Sequence, residues 1–144
     1  MIQRIQSLYL LVASIISGGI INSVFLWSDS QEVPFTILDA LQSDAMIIKV
    51  IPLLFFSSAL FSLGAIFMFK NRARQLGLGR INILINFILL GVLIYHSLNV
   101  SGETLVSEKG IGLFLPVLAV LCLVLANNAI KKDEELVKSV DRLR

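Results

Sequence analysis

Residues 50–69 read VIPLLFFSSALFSLGAIFMF, and residues 70–80 read KNRARQLGLGR. The first stretch carries no charge over the length, roughly 20 residues, that a helix needs to cross a hydrocarbon layer of about 30 Å. The second opens on Lys70 and adds Arg72, Arg74 and Arg80, so the chain leaves lipid where the apolar run stops. Reading outward from this junction, three more uncharged windows appear, at residues 7–27, 81–98 and 111–128. The chain is 144 residues long, 56% hydrophobic and 15% charged, a length that fits one domain and a composition outside that of water-soluble domains. The sequence therefore predicts an all-α membrane protein, a single four-helix transmembrane domain over residues 1–144 with a tail at 129–144.

Charge sorts the connections. Residues 28–49 hold Asp29, Glu32, Asp39 and Asp44 against Lys49, and residues 99–110 hold Glu103 and Glu108 against Lys109. The other side collects Arg4, Lys70, Arg72, Arg74, Arg80, Lys131, Lys132, Lys138, Arg142 and Arg144, ten of the 12 basic residues. Because Lys and Arg in short connections stay on the cytoplasmic side, both termini are expected inside (N-in/C-in). Tyr9, Trp27 and Tyr95 fall near expected interfaces, where amphipathic rings prefer to lie. A competing reading makes residues 1–19 a secretory signal, with Arg4 as its basic region and Ser17, Gly18 and Gly19 at a cleavage site. The apolar run continues through Ile20 to Trp27, longer than a signal core, which favours a retained span.

Helices already in lipid associate through close packing and interhelical hydrogen bonds, so small and weakly polar residues mark contact faces. Ser14, Gly18 and Asn22 form such a face on the first span, Ser58, Ser62 and Ala65 on the second, and Ala119, Cys122 and Ala126 on the fourth. Asn82 and Asn86 share a face of the third, at the depth of Asn127 and Asn128. These are expected to be packing seams rather than a substrate path. Pro52 is read in the first turns of its helix, and Pro116 is expected to kink the fourth span or delay its start. Gly77 and Gly79 are read as turn residues in a tight basic loop over 70–80. Phe35, Ile37, Leu38 and Leu41, with Asp39 and Gln42 opposite, suggest a short amphipathic segment on the outer membrane surface.

Catalytic chemistry is not evident. None of the 10 acidic residues falls in a span, although an ionisable group within the bilayer is the usual mark of proton coupling. His96 is the only histidine and Cys122 the only cysteine, so one chain assembles no disulfide, no bis-histidine haem and no zinc site. No phosphate-binding glycine loop follows a strand, and no serine has a histidine at its depth. A net charge of +2 without a long basic block does not suit nucleic acid. No enzyme, cofactor, metal or nucleic-acid partner is expected.

The chain closes on KKDEELVKSVDRLR, residues 131–144. On a helix, Leu136, Val140 and Leu143 form one stripe with Val137 beside it, and Glu134 precedes Lys138 by four in the favourable order. The stretch is expected to fold as a cytoplasmic amphipathic helix, read either as a solvated, topology-fixing tail or, because a tail needing only positive charge has no use for an apolar stripe, as a docking helix for a protein partner. This close, together with the opening MIQRIQSLYLL at residues 1–11, resembles the terminal signatures of a bacteroidete-type family of small four-span membrane proteins catalogued as a domain of unknown function. The recognisable positions are Arg4, Gln6, Asp133, Glu134, Leu136, Val137, Lys138, Ser139, Asp141, Arg142 and Leu143. The resemblance implies a multi-pass protein of a Gram-negative inner membrane, with no activity or catalytic residue to carry over. Arg4, Gln6, Asp133, Glu134, Leu136, Val137, Lys138, Val140, Asp141, Arg142 and Leu143 are the expected partner-binding residues. Ser14, Gly18, Asn22, Ser58, Ser62, Asn82 and Asn86 are the expected helix-packing residues. The expected function is an accessory or scaffold subunit of a larger envelope membrane complex, and the alternative is a small oligomeric carrier or channel.

Overall fold

The outer faces of the bundle are apolar, and inside it amides and hydroxyls are buried beside an apolar core. In the computed structural model, which describes the backbone of residues 2–28, 34–100 and 110–142 and the side chains of 5–28, 34–98 and 110–142, Ser58, Ser62, Asn82 and Asn86 are fully buried. Leu53, Leu60, Leu84, Phe87 and Leu121 are instead more than half exposed on the outer faces. That distribution has a low free energy only where the surroundings are themselves apolar.

The long helices are α1 (Ile2–Gly18), α3 (Met46–Phe67), α4 (Arg72–Val100) and α5 (Leu115–Arg142). The short α2 (Ile37–Gln42) lies between α1 and α3. Helix α1 packs on α3 and α5, and α4 packs on the same two, closing a ring of four. Gln6 near the start of α1 bonds Ala129 midway along α5, so the start of α1 and the end of α5 lie toward one end of the bundle, here the near end. Among the described residues, four helices are long and apolar enough to cross a membrane.

Several boundaries differ from the sequence reading. The first helix does not continue to Trp27. It stops at Gly18, a 3-10 turn covers Ile20–Ser23, and the chain then runs extended. Two adjacent glycines weaken the helix there, and the side-chain amide of Asn22 donates to the Gly18 carbonyl at 2.7 Å, satisfying one of its last acceptors. The expected basic loop over 70–80 is mostly helix. Asn71 caps α4 by accepting from the Arg74 N–H at 3.3 Å, so only a tight turn separates α3 from α4. Gly77 and Gly79 are helical, and Gly79 lies directly under the Asn127 side chain, which leaves no room for a Cβ. Pro52 is not in the opening turns. Helix α3 begins at Met46, which places the proline well inside it. Pro116 does delay the fourth helix, since a 3-10 turn at Ile111–Phe114 precedes α5. Helix α5 then runs without a break into the expected tail as far as Arg142.

The far end is closed by backbone pairing. Strands β1 (Trp27–Ser28) and β2 (Pro34–Phe35) form an antiparallel pair, and the Leu26 N–H donates to the Phe35 carbonyl at 2.8 Å. From the other side, Gly110 donates to the Leu26 carbonyl and Gly112 to that of Phe25, each at 3.1 Å. Trp27 is therefore buried under Phe35, their rings stacked 4.7 Å apart, rather than set out as an interfacial anchor. His96 also stacks against Trp27 and meets Tyr95 edge-on.

Helix α2 turns Ile37 and Ala40 inward, leaving Leu38, Leu41 and Asp39 exposed. Its start is a capping box. The Asp39 carboxylate accepts from the Thr36 N–H at 2.8 Å and from its hydroxyl at 2.7 Å. The side-chain bond from Thr36, and after it the backbone bond, hold the Asp39 carboxyl below its ordinary value. A depressed folded value means the cap is fully formed above the ordinary carboxylate range and lost as pH falls through the lowered value. Helical chemical shifts for residues 37–42 are expected to persist through mild acid and to fade only below the ordinary carboxylate range. Loss of those shifts near neutral pH would contradict this assignment.

Candidate functional site

Two features are candidates for a functional role, the polar interior and the part of α5 beyond the ring. Each neighbouring pair in the ring has a polar joint. Between α1 and α3, the Ser14 hydroxyl donates to the Ala59 carbonyl at 3.4 Å, and the Ser17 and Ser58 hydroxyls are bonded at 3.2 Å. Gly18 allows this crossing, since a Cβ there would lie 3.0 Å from that of Ala59. Between α3 and α4, the Asn82 amide donates to the Ser58 carbonyl at 3.0 Å and to the Ser62 hydroxyl at 2.7 Å. The Asn86 amide donates to the Ser58 hydroxyl, also at 2.7 Å. Between α4 and α5, Arg72 pairs with the Asp133 carboxylate at 2.9 Å and donates to its backbone carbonyl at 3.1 Å. Between α5 and α1, the Gln6 amide donates to the Ala129 carbonyl at 3.1 Å. An amide surrounded by hydrocarbon is costly without a partner, so these bonds fix which helices meet and at what depth.

The expected packing residues thus divide. Ser14, Gly18, Ser58, Ser62, Asn82 and Asn86 meet inside one chain, whereas Asn22 is exposed and bonds the Gly18 carbonyl of its own turn. The expected partner-binding residues divide as well. Gln6 and Asp133 are buried in the joints just described. The Arg4 side chain and Leu143 lie outside the described residues. Glu134 pairs with Lys138 at 2.8 Å along the helix, and this neighbour, through its hydrogen bond and then its charge, draws the Glu134 carboxyl below its ordinary value.

Leu136, Val137 and Val140 are 53%, 44% and 62% exposed, and Asp141 and Arg142 are exposed beside them. The inward positions of α5 run Ala119, Leu123, Ala126, Ile130 and Asp133. Spacings of three and four carry the same face on to Val137 and Val140. The stripe that packs the bundle therefore projects past the ring with nothing from the described residues against it. At 28 residues, α5 is about 42 Å long, against a hydrocarbon thickness of about 30 Å.

Sequence reading missed two contributors here, Arg72 and Gln75, because both were placed in a loop. Gln75 is 1% exposed, and neither its side-chain nitrogen nor its oxygen has a hydrogen-bond partner among the described residues. The spacing of Gln75, Asn82 and Asn86 on one helical face would have shown it, had α4 been started at Asn71.

Four apolar helices joined through buried hydroxyls and amides define a multi-pass membrane protein built as a helical bundle. The chain belongs to the family described as domain of unknown function DUF4293, whose model matches residues 2–143. No curated protein and no solved structure matches it.

Proposed function

We propose that the protein is a non-catalytic accessory or scaffold subunit of a larger assembly in the bacterial inner membrane, with both termini cytoplasmic. The single observation behind this reading is the rigid overhang of α5. Its apolar stripe, Leu136, Val137 and Val140, continues the packing face of the bundle and is exposed among the described residues. The Arg72–Asp133 pair holds that overhang in a fixed direction, so a partner meets an ordered helix and does not have to order it. Charges of both signs flank the stripe, which suits an apolar groove with a mixed polar rim on the partner better than an anionic lipid surface. The ten-to-two division of Lys and Arg between the ends supports the cytoplasmic placement.

The test is co-purification. Full-length protein extracted in mild detergent is expected to bring down a defined set of membrane proteins. Leu136→Ser, Val137→Ser and Val140→Ser combined are expected to lose that set while leaving the thermal midpoint nearly unchanged, because all three side chains are exposed. An identical set from the triple variant, or none from either protein, would defeat the proposal.

A further inference from the structure

Beside the joint between Gln6 and Ala129, the near end of the bundle carries an open groove of about 520 Å³ between α1 and α5. Its floor is fixed, because that joint ties the two helices together and the Tyr9 ring packs on the buried cluster around Leu10 and Leu123. The lining changes character with depth. Leu125 and the Tyr9 ring lie deepest, the Asn128 amide follows, and Lys131, Lys132 and Glu135 stand toward the near end. From Leu125 to Lys132 the groove rises about 10 Å.

Sequence sets the level of this groove in the bilayer. Residues 5–27 and 110–130 carry no charge, so α5 leaves hydrocarbon at Lys131 and Lys132, and the groove crosses from the acyl layer into the headgroup layer. Its polar groups are uncommitted. Glu134 takes Lys138 and Arg72 takes Asp133, which leaves Lys131, Lys132, Glu135 and the Asn128 side chain without an ion pair or hydrogen bond among the described residues. An exposed amide at the edge of hydrocarbon is costly unless something there accepts from it. Passing outward, the groove thus offers an apolar slot, an amide donor, two cations and then one anion.

We infer that the groove binds a phosphatidylethanolamine of the bilayer leaflet at the near end, its phosphate on Lys131 and Lys132, its ammonium on Glu135 and an acyl chain along Leu125 and Tyr9. The order of groups in that lipid matches the order in the groove. The ester carbonyls, which only accept, lie between acyl chain and phosphate, at the level of the Asn128 amide. Glu135 decides the headgroup. An ethanolamine ammonium donates N–H to the carboxylate, a choline has no N–H to donate, and a glycerol headgroup satisfies the lysines but brings the carboxylate no cation. This inference uses the α1–α5 face and is independent of what docks on Leu136, Val137 and Val140.

The test is native mass spectrometry of the full-length chain in mild detergent, offered equal amounts of phosphatidylethanolamine, phosphatidylcholine and phosphatidylglycerol with matched acyl chains. The wild type is expected to retain the ethanolamine lipid about threefold over each of the others, the size an exposed ion pair supports. Glu135→Gln is expected to level ethanolamine with choline, and Lys131→Gln combined with Lys132→Gln to lower retention of all three lipids. Lys70→Gln, an exposed change at the same end but outside the groove, is expected to leave the pattern as it was. All the substituted side chains are exposed, so each variant is expected to keep the wild-type thermal midpoint. Equal retention of the three lipids by the wild type, or preference for the glycerol lipid, would overturn the inference. So would an ethanolamine preference that survives Glu135→Gln.

Discussion

Gly110→Val is expected to cost about 3 kcal/mol, the upper end for forcing atoms into a packed site, and to open the far end of the bundle. The glycine is required by space rather than by dihedral angle, since φ is −64° and ψ is 152°, a conformation any residue adopts. A Cβ at this position would lie 2.6 Å from the Leu26 carbonyl carbon and closer still to the Phe25 oxygen. Those are backbone atoms, fixed by pairing to Phe35 on one side and to Gly110 and Gly112 on the other, so no rotamer change can make room. The segment that carries Trp27 would have to separate from the chain before α5. A lowered unfolding midpoint in detergent, with a red shift of Trp27 emission as it leaves Phe35 and His96, is the expected signature. A wild-type midpoint in the variant would show that the far end is not closed in this way.

Asp133→Ala is the other substitution expected to have a large effect, about 2 to 3 kcal/mol. Removing one member of a buried ion pair costs about 3 to 5 kcal/mol because the survivor is left desolvated, and partial exposure of both side chains reduces this here. The bond from Arg72 to the Asp133 backbone carbonyl survives the change, and it too limits the loss. Adding Arg72→Ala is expected to restore part of the stability, with a coupling on the order of 1 kcal/mol in a double-mutant cycle. Glu134→Ala, which breaks only an exposed pair within one helix, is expected to have a much smaller effect. Equal losses from Asp133→Ala and Glu134→Ala would mean that the α4–α5 joint does not stabilise the fold.

The parts of this fold that were legible in the sequence are those set by neighbours along the chain. An uncharged run such as 50–69 reports its own preference for lipid, and α3 follows it closely. Asn82 and Asn86, four apart on a hydrophobic helix, similarly announced a shared polar face. What was not legible depends on partners distant in sequence. The uncharged run continues from Gly18 to Trp27, and although Gly18, Gly19 and Asn22 weaken the helix locally, the extended course of Leu26 and Trp27 is set by pairing with Phe35 and Gly110, distant in sequence. Gly77 and Gly79 look like turn residues in isolation. The Asn71 cap and the Asn127 side chain over Gly79 keep that stretch helical, and with it come Arg72 and Gln75. Asp133 reads as one charge in a solvated tail until Arg72 is found across from it.

Photo-crosslinking in cells from an unnatural residue at Val140 tests the docking face of α5 most directly. The account predicts an adduct with another protein, abolished by Leu136→Ser with Val137→Ser, whereas a control probe at Leu84 on the outer face of α4 reports lipid. Adducts at Val140 with lipid alone, or none that depends on the apolar stripe, would contradict it.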